Sequence, residues 1–109
     1  MRHPAFVDWN QMPWEQVRDG VERKLCNGSH ATLAMHRVHA SAITTAHAHP
    51  EEQIIYLLSG RLQYSIEGTT HVMAPGECMR VPPNVMHHSQ AVGDEPAVTL
   101  DIFSPRRNY

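Results

Sequence analysis

Cysteine is nearly missing from this 109-residue chain, which has only Cys26 and Cys78. The two lie far apart with no Cys-x-x-Cys spacing, so both are expected to be reduced, small buried hydrophobes in a non-exported chain. A basic excess is missing too. Nine Lys and Arg against eleven Asp and Glu leave a formal charge of −2, and no positive field invites nucleic acid or an anionic membrane surface. No apolar run reaches the length of a membrane span. The opening Met1-Arg2-His3-Pro4-Ala5-Phe6-Val7-Asp8 has one cation without the apolar stretch of a signal peptide, which sets the expectation of a cytoplasmic protein. Repeats, low-complexity tracts and linkers are absent, as are the helical periods of an α/β fold. What remains is one domain over residues 1–109, with a single core and an N-terminal arm at about residues 1–16.

Short strands and turns fill the rest. The arm sets Trp9, Met12 and Trp14 around Pro13, aromatics suited to packing on the body, with room for one short helical turn. A strand is expected from Val17 to Leu25, ending at the Asn27-Gly28-Ser29 turn, and a second from Ala31 to His39. Ile54-Ile55-Tyr56-Leu57-Leu58 has little polar relief and reads as a central strand. Leu62, Tyr64 and Ile66 then alternate with Arg61, Gln63, Ser65 and Glu67, the period of a half-buried strand. Further strands are expected at Thr70 to Ala74, Cys78 to Val81, Val85 to Ala91 and Ala97 to Phe103, separated by Pro75-Gly76, Pro82-Pro83-Asn84 and Gly93-Asp94-Glu95-Pro96. Such spacing predicts an all-β barrel or sandwich.

Within that frame His47-Ala48-His49 places two imidazoles on one side of an extended segment, because side chains at i and i+2 share a face. Gln53 adds an amide oxygen after a short loop, and His87 returns on a later strand. Three nitrogens and one oxygen suit a divalent first-row ion, and the donor set does not separate nickel, zinc, manganese, iron and cobalt. All four ligands are neutral, so the full charge of the ion stays available to an anionic substrate, which favours Lewis-acid work over oxygen chemistry. His88 falls on the opposite strand face from His87. His3, His30, His36, His39 and His71 are expected in surface or packing roles, and the methionines as core filler.

On the last strand Ala97, Thr99, Asp101 and Phe103 share one face, opposite Val98, Leu100 and Ile102. A carboxylate among strand formers is out of place as structure, since burying it unpaired is costly. Asp101 is therefore a candidate for proton transfer, the competing reading being an ion pair with an arginine such as Arg80. Tyr56 and Tyr64 fit either a pocket wall or packing.

The spacing of His47, His49, Gln53 and Gly60, followed by Gly76, Pro82 and His87, resembles the two cupin motifs, Gly-x5-His-x-His-x3-Glu-x6-Gly and Gly-x5-Pro-x-Gly-x2-His-x3-Asn. Here Ser41, Gln53, Asn84 and Ala91 replace the leading Gly, the Glu, the second motif's inner Gly and its terminal Asn. The resemblance implies a single-domain cupin, a double-stranded β-helix or jelly-roll barrel. Two segments, His47-Ala48-His49-Pro50-Glu51-Glu52-Gln53 and Leu100-Asp101-Ile102-Phe103-Ser104-Pro105-Arg106-Arg107, resemble the KdgF cupins of pectin and alginate breakdown more narrowly, as does Gly20 to Lys24. That likeness implies a Gln in the ligand set and active-site residues from the tail, here Asp101, Phe103 and Arg107. It also implies a homodimer, and conversion of 4,5-unsaturated monouronates to the open-chain 5-keto-4-deoxyuronate. Phe103 would shape the sugar pocket and Arg107 clamp the carboxylate, with Arg106 fitting the tail pattern less well. The alternatives are another cupin isomerase, lyase or oxygenase, or a metal-bearing or sugar-sensing binding module without turnover.

Overall fold

A computed structural model describes residues 2–42 and 44–108. Among them nine strands form: β1 Glu15–Arg18, β2 Val21–Asn27, β3 Thr32–Val38, β4 Glu52–Ser59, β5 Leu62–Ile66, β6 Thr69–Met73, β7 Cys78–Val81, β8 His87–Ala91 and β9 Ala97–Ser104. A six-stranded sheet in the order β1-β2-β3-β9-β4-β7 faces a three-stranded sheet in the order β6-β5-β8, with antiparallel pairing throughout. The strand pattern thus gives the all-β fold expected of it, in the jelly-roll arrangement that the motif resemblance implies.

Strand alternation builds the interior. On β4, Gln53, Ile55 and Leu57 are buried, while Tyr56 and Leu58 face out. On β9 the buried set is Ala97, Thr99, Asp101 and Phe103. With Val21, Val38, Leu62, Tyr64, Met73, Val81 and Ala91, the residues Ile55, Leu57 and Ala97 close one core. Burying each of its Val, Leu, Ile and Met side chains contributes about 1.5–3 kcal/mol, and the polar lining of the histidines, Gln53 and Asp101 gathers at one end. That end is where β4 and β8 begin and β9 finishes.

Three expectations are corrected. Val17 to Leu25 is not one strand. The chain turns at Asp19-Gly20, and Arg18 pairs back with Val21. Gly20 has φ +77°, and a Cβ there would lie 2.8 Å from that of Ala42. Val17 and Val21 fit either arrangement, because their spacing matches a strand and a hairpin alike. The arm forms turns in place of a helical turn, with Gln11 N donating to Asp8 O at 3.2 Å and Met12 N to Trp9 O at 3.3 Å. It is held on β2 and β3 by Lys24 Nζ donating to Trp9 O at 2.9 Å and by the Arg37 guanidinium 4.2 Å from the Trp14 ring centre. Finally, Cys78 is exposed on edge strand β7 and Cys26 only half-buried, so neither is core filler.

The motif's departures from glycine are absorbed locally: Ser41 has φ +69° and Asn84 φ +64°, and both sustain the left-handed backbone. Gly60 has no such latitude. It turns β4 into β5 at φ +79°, and a Cβ would stand 2.3 Å from the carbonyl oxygen of Pro96 and 2.9 Å from Ala97 Cα. Gly60→Ala is expected to destabilise by more than the roughly 1–3 kcal/mol of backbone strain alone, because β9 must shift as well. Urea titration checks this, and an unchanged midpoint would contradict the packing described.

Candidate metal centre

His47 and His49 sit in the extended segment before β4, not in a regular strand. His47 forms an isolated antiparallel bridge with His87, its N donating to His87 O at 3.0 Å and accepting at its own O from His87 N at 2.9 Å. Asn84 N donates to His49 O at 2.8 Å, so the segment from His47 to His49 is zipped against the one leading into β8. The i, i+2 alternation expected of a strand therefore survives. The side-chain nitrogens of His47, His49 and His87 lie within 4.8 Å of one another, His47 exposed and the other two buried.

Each imidazole is oriented the same way. Nδ1 contacts a backbone carbonyl two residues distant: Thr45 O at 2.7 Å for His47, Glu51 O at 2.9 Å for His49 and Val85 O at 2.8 Å for His87. A carbonyl only accepts, so Nδ1 carries the proton and Nε2 presents a lone pair, the tautomer of a ligand imidazole. His87 Nε2 is buried without a hydrogen-bond partner. His49 Nε2 stands 3.0 Å from Gln53 Oε1, and Gln53 Nε2 is turned towards Asp101 Oδ2 at 3.5 Å. In that amide orientation two lone pairs face each other, an arrangement a shared cation relieves. The donor set thus fits a divalent ion held by His47, His49, His87 and Gln53.

Electrostatics agree. Burial pushes the His87 imidazole down to about 4. Burial, followed by the Arg107 charge, also lowers that of His49. Both rings are therefore neutral near pH 7, as ligation requires. Tyr64 stacks on His87 at 6.0 Å between ring centres, and its phenol is shifted upward by burial and by the Asp101 charge. Its place is the pocket wall. Tyr56 points outward on β4.

A cavity of about 150 Å³ opens beside the histidines and is lined by Tyr64, Asp101, Phe103 and Arg107 among others. Phe103 is buried with its ring edge-on to His49 at 5.7 Å. The Arg107 guanidinium lies 5.3 Å from the Phe103 ring centre, its Nη1 donates to Glu51 Oε1 at 3.2 Å, and its backbone N donates to Thr32 Oγ1 at 3.1 Å. The tail is thereby folded back over the barrel mouth. Arg106 is exposed and lies outside the cavity lining.

Asp101 is buried, and its partner is His36, not Arg80. His36 Nδ1 lies 2.7 Å from Asp101 Oδ2. Arg80 is paired opposite Ile54 on β7 and faces outward. His36, assigned to surface or packing on sequence, was missed although Thr32, Ala34, His36 and Val38 share the inward phase of β3. Glu51 was missed as well: its carbonyl orients His49 and its carboxylate holds Arg107.

The cupin-domain family profile matches residues 34–103. Over 105 residues the chain is 35% identical to the pectin degradation protein KdgF of Dickeya dadantii (strain 3937), covering 94% of this chain and 93% of that protein. The solved structure of KdgF from Halomonas sp. superposes with a TM-score of 0.88 at 27% identity, covering 94% of each chain. An RmlC-like cupin from Shewanella frigidimarina NCIMB 400 also reaches a TM-score of 0.88, at 24% identity over 94% of this chain and 92% of that one, a likeness of fold alone. Family profile, full-length relative and barrel agree: the chain belongs to the cupins and, among them, to the KdgF family.

Proposed function

We propose that this protein converts 4,5-unsaturated monouronates, the products of polyuronate lyases, to open-chain 5-keto-4-deoxyuronates, with a divalent ion held by His47, His49, Gln53 and His87. The reaction is an isomerisation. The anomeric hydroxyl loses its proton as the C1–O5 bond breaks to give an aldehyde, and C4 gains a proton as the enolate on C5 becomes a ketone. No water, oxidant or reductant is consumed. When bound, the ion supplies Lewis-acid polarisation of substrate oxygen.

The observation that carries this reading is a buried carboxylate in the same cavity as three oriented imidazoles: Asp101 Oδ2 is contacted by His36 and Gln53, and Oδ1 is buried without a hydrogen-bond partner. Asp101 takes the proton from the anomeric hydroxyl and returns one to C4. Phe103 walls the sugar ring, and Arg107, steadied on Glu51, pairs with the substrate carboxylate. The relative's role in pectin degradation supports the same substrate class. The outer face of the large sheet exposes Leu33, Tyr56, Leu58 and Ile102 and supports a homodimer.

The metal-loaded protein should abolish the ultraviolet absorbance of the conjugated alkene in an unsaturated uronate. Galacturonate-, mannuronate- and guluronate-derived substrates tested in parallel identify the preferred one. Failure on all of them would replace this reading with a binding module.

A further inference from the structure

We propose that His36 is a positioning residue that holds the Asp101 carboxylate with Oδ1 towards the substrate, an inference that rests on the uronate-converting reading. His36 lies on β3 directly opposite Thr99 of β9, one inward position from Asp101. Its Nδ1 is 2.7 Å from Asp101 Oδ2, and because a carboxylate only accepts, that nitrogen carries a proton. The N–H direction falls short of hydrogen-bond geometry, so the contact is a close approach of the ring nitrogen to the carboxylate oxygen. From β4, Gln53 Nε2 reaches the same oxygen at 3.5 Å.

The two carboxylate oxygens are therefore unlike. Oδ2 is contacted from two neighbouring strands, whereas Oδ1 is buried without a hydrogen bond. A half-turn of the carboxylate merely exchanges two equivalent oxygens, so what the two contacts fix is its plane, with one oxygen held and the other left without a hydrogen bond. The His36 side chain is only 18% exposed and that of Asp101 7%, so water screens the contact little. His36 is outside the imidazole cluster itself, which comprises His47, His49 and His87 among the described residues. Its role is thus exercised on Asp101 and not on the ion. A wrong carboxylate rotamer leaves substrate binding intact and slows only the proton transfer, since that step needs donor and acceptor in line within hydrogen-bond reach.

The test compares His36→Ala, His36→Asn and His36→Gln, each also in an Asp101→Asn background, with metal content measured throughout. The Asn amide nitrogen stands near the position of Nδ1, and the longer Gln side chain overshoots it. Loss of an outer partner of this kind costs about 10- to 100-fold, here expected in kcat for His36→Ala with metal content full. KM should move by no more than about twofold, since the lost interaction acts on turnover and not on uniform binding. His36→Asn should recover most of the rate and His36→Gln little of it. In the Asp101→Asn background His36→Ala should cost no further rate, because two residues acting as one unit are not additive. An unchanged kcat, a loss of metal, an equal loss in the Asp101→Asn background, or an Asn variant no better than Gln would each overturn the assignment. Should His36→Ala fail to fold, the Asn–Gln comparison decides alone. A wild-type rate in Asp101→Asn by itself would instead remove the proton-transfer reading, and the positioning role with it.

Discussion

His47→Ala is expected to purify folded, without stoichiometric metal and without turnover. The side chain is exposed and packs in no core, and the bridge to His87 is made by backbone atoms that the substitution leaves in place. Thermal stability of the metal-free protein should therefore change little. Metal affinity should fall by more than the roughly 10- to 100-fold associated with losing an outer-shell partner, because under the proposed ligand set a ligand atom itself is removed. Elemental analysis after gentle purification and the ultraviolet assay provide the check. In the wild type, ligand nitrogen distances near 2.0–2.2 Å are expected if the ion is zinc-like. A variant that keeps both metal and activity would show that the ion is bound elsewhere.

Asp101→Asn is expected to keep metal and fold while kcat falls by about 10²- to 10⁴-fold, the range for losing a general acid or base. The amide is isosteric with the carboxylate, so packing in β9 against Ala34 and Ile55 is preserved. The amide cannot exchange a proton as the carboxylate does, and the motif position that carries Glu in other cupins offers no carboxylate in its place, being Gln53 here. Substrate binding should persist, because Phe103 and Arg107 are untouched. Single-turnover rates with binding measured separately would establish this. Near wild-type turnover would remove Asp101 from the chemistry.

Much of the fold was legible because strand alternation is a local property. Leu62, Tyr64 and Ile66 declare their face in five residues, and Asp101 and Phe103 declare theirs by alternating with the apolar Val98, Leu100 and Ile102. The hairpin at Gly20 was legible in its turn, since Asp19-Gly20 between two strand runs is a two-residue hairpin signal. That signal was hidden because Val17 and Val21 present the same spacing whether the chain runs straight or folds back. The exposure of Cys78 was equally hidden, because being on the edge strand of a sheet depends on strand order and not on the Cys78-Met79-Arg80-Val81 segment itself.

The sequence alone determined an all-β barrel or sandwich and the close pairing of His47 with His49, and singled out Gln53 and His87 by their spacing and Asp101 as a carboxylate among strand formers, while the resemblance to the KdgF cupins added Phe103 and Arg107. Tertiary structure decided who faces whom. The β2-β3-β9-β4 register sets His36 against Asp101, and the returning tail seats Arg107 on Glu51. The reason is physical: the two-residue repeat of a strand says which way a side chain points, whereas the partner it meets depends on hydrogen-bond register between segments far apart in the chain.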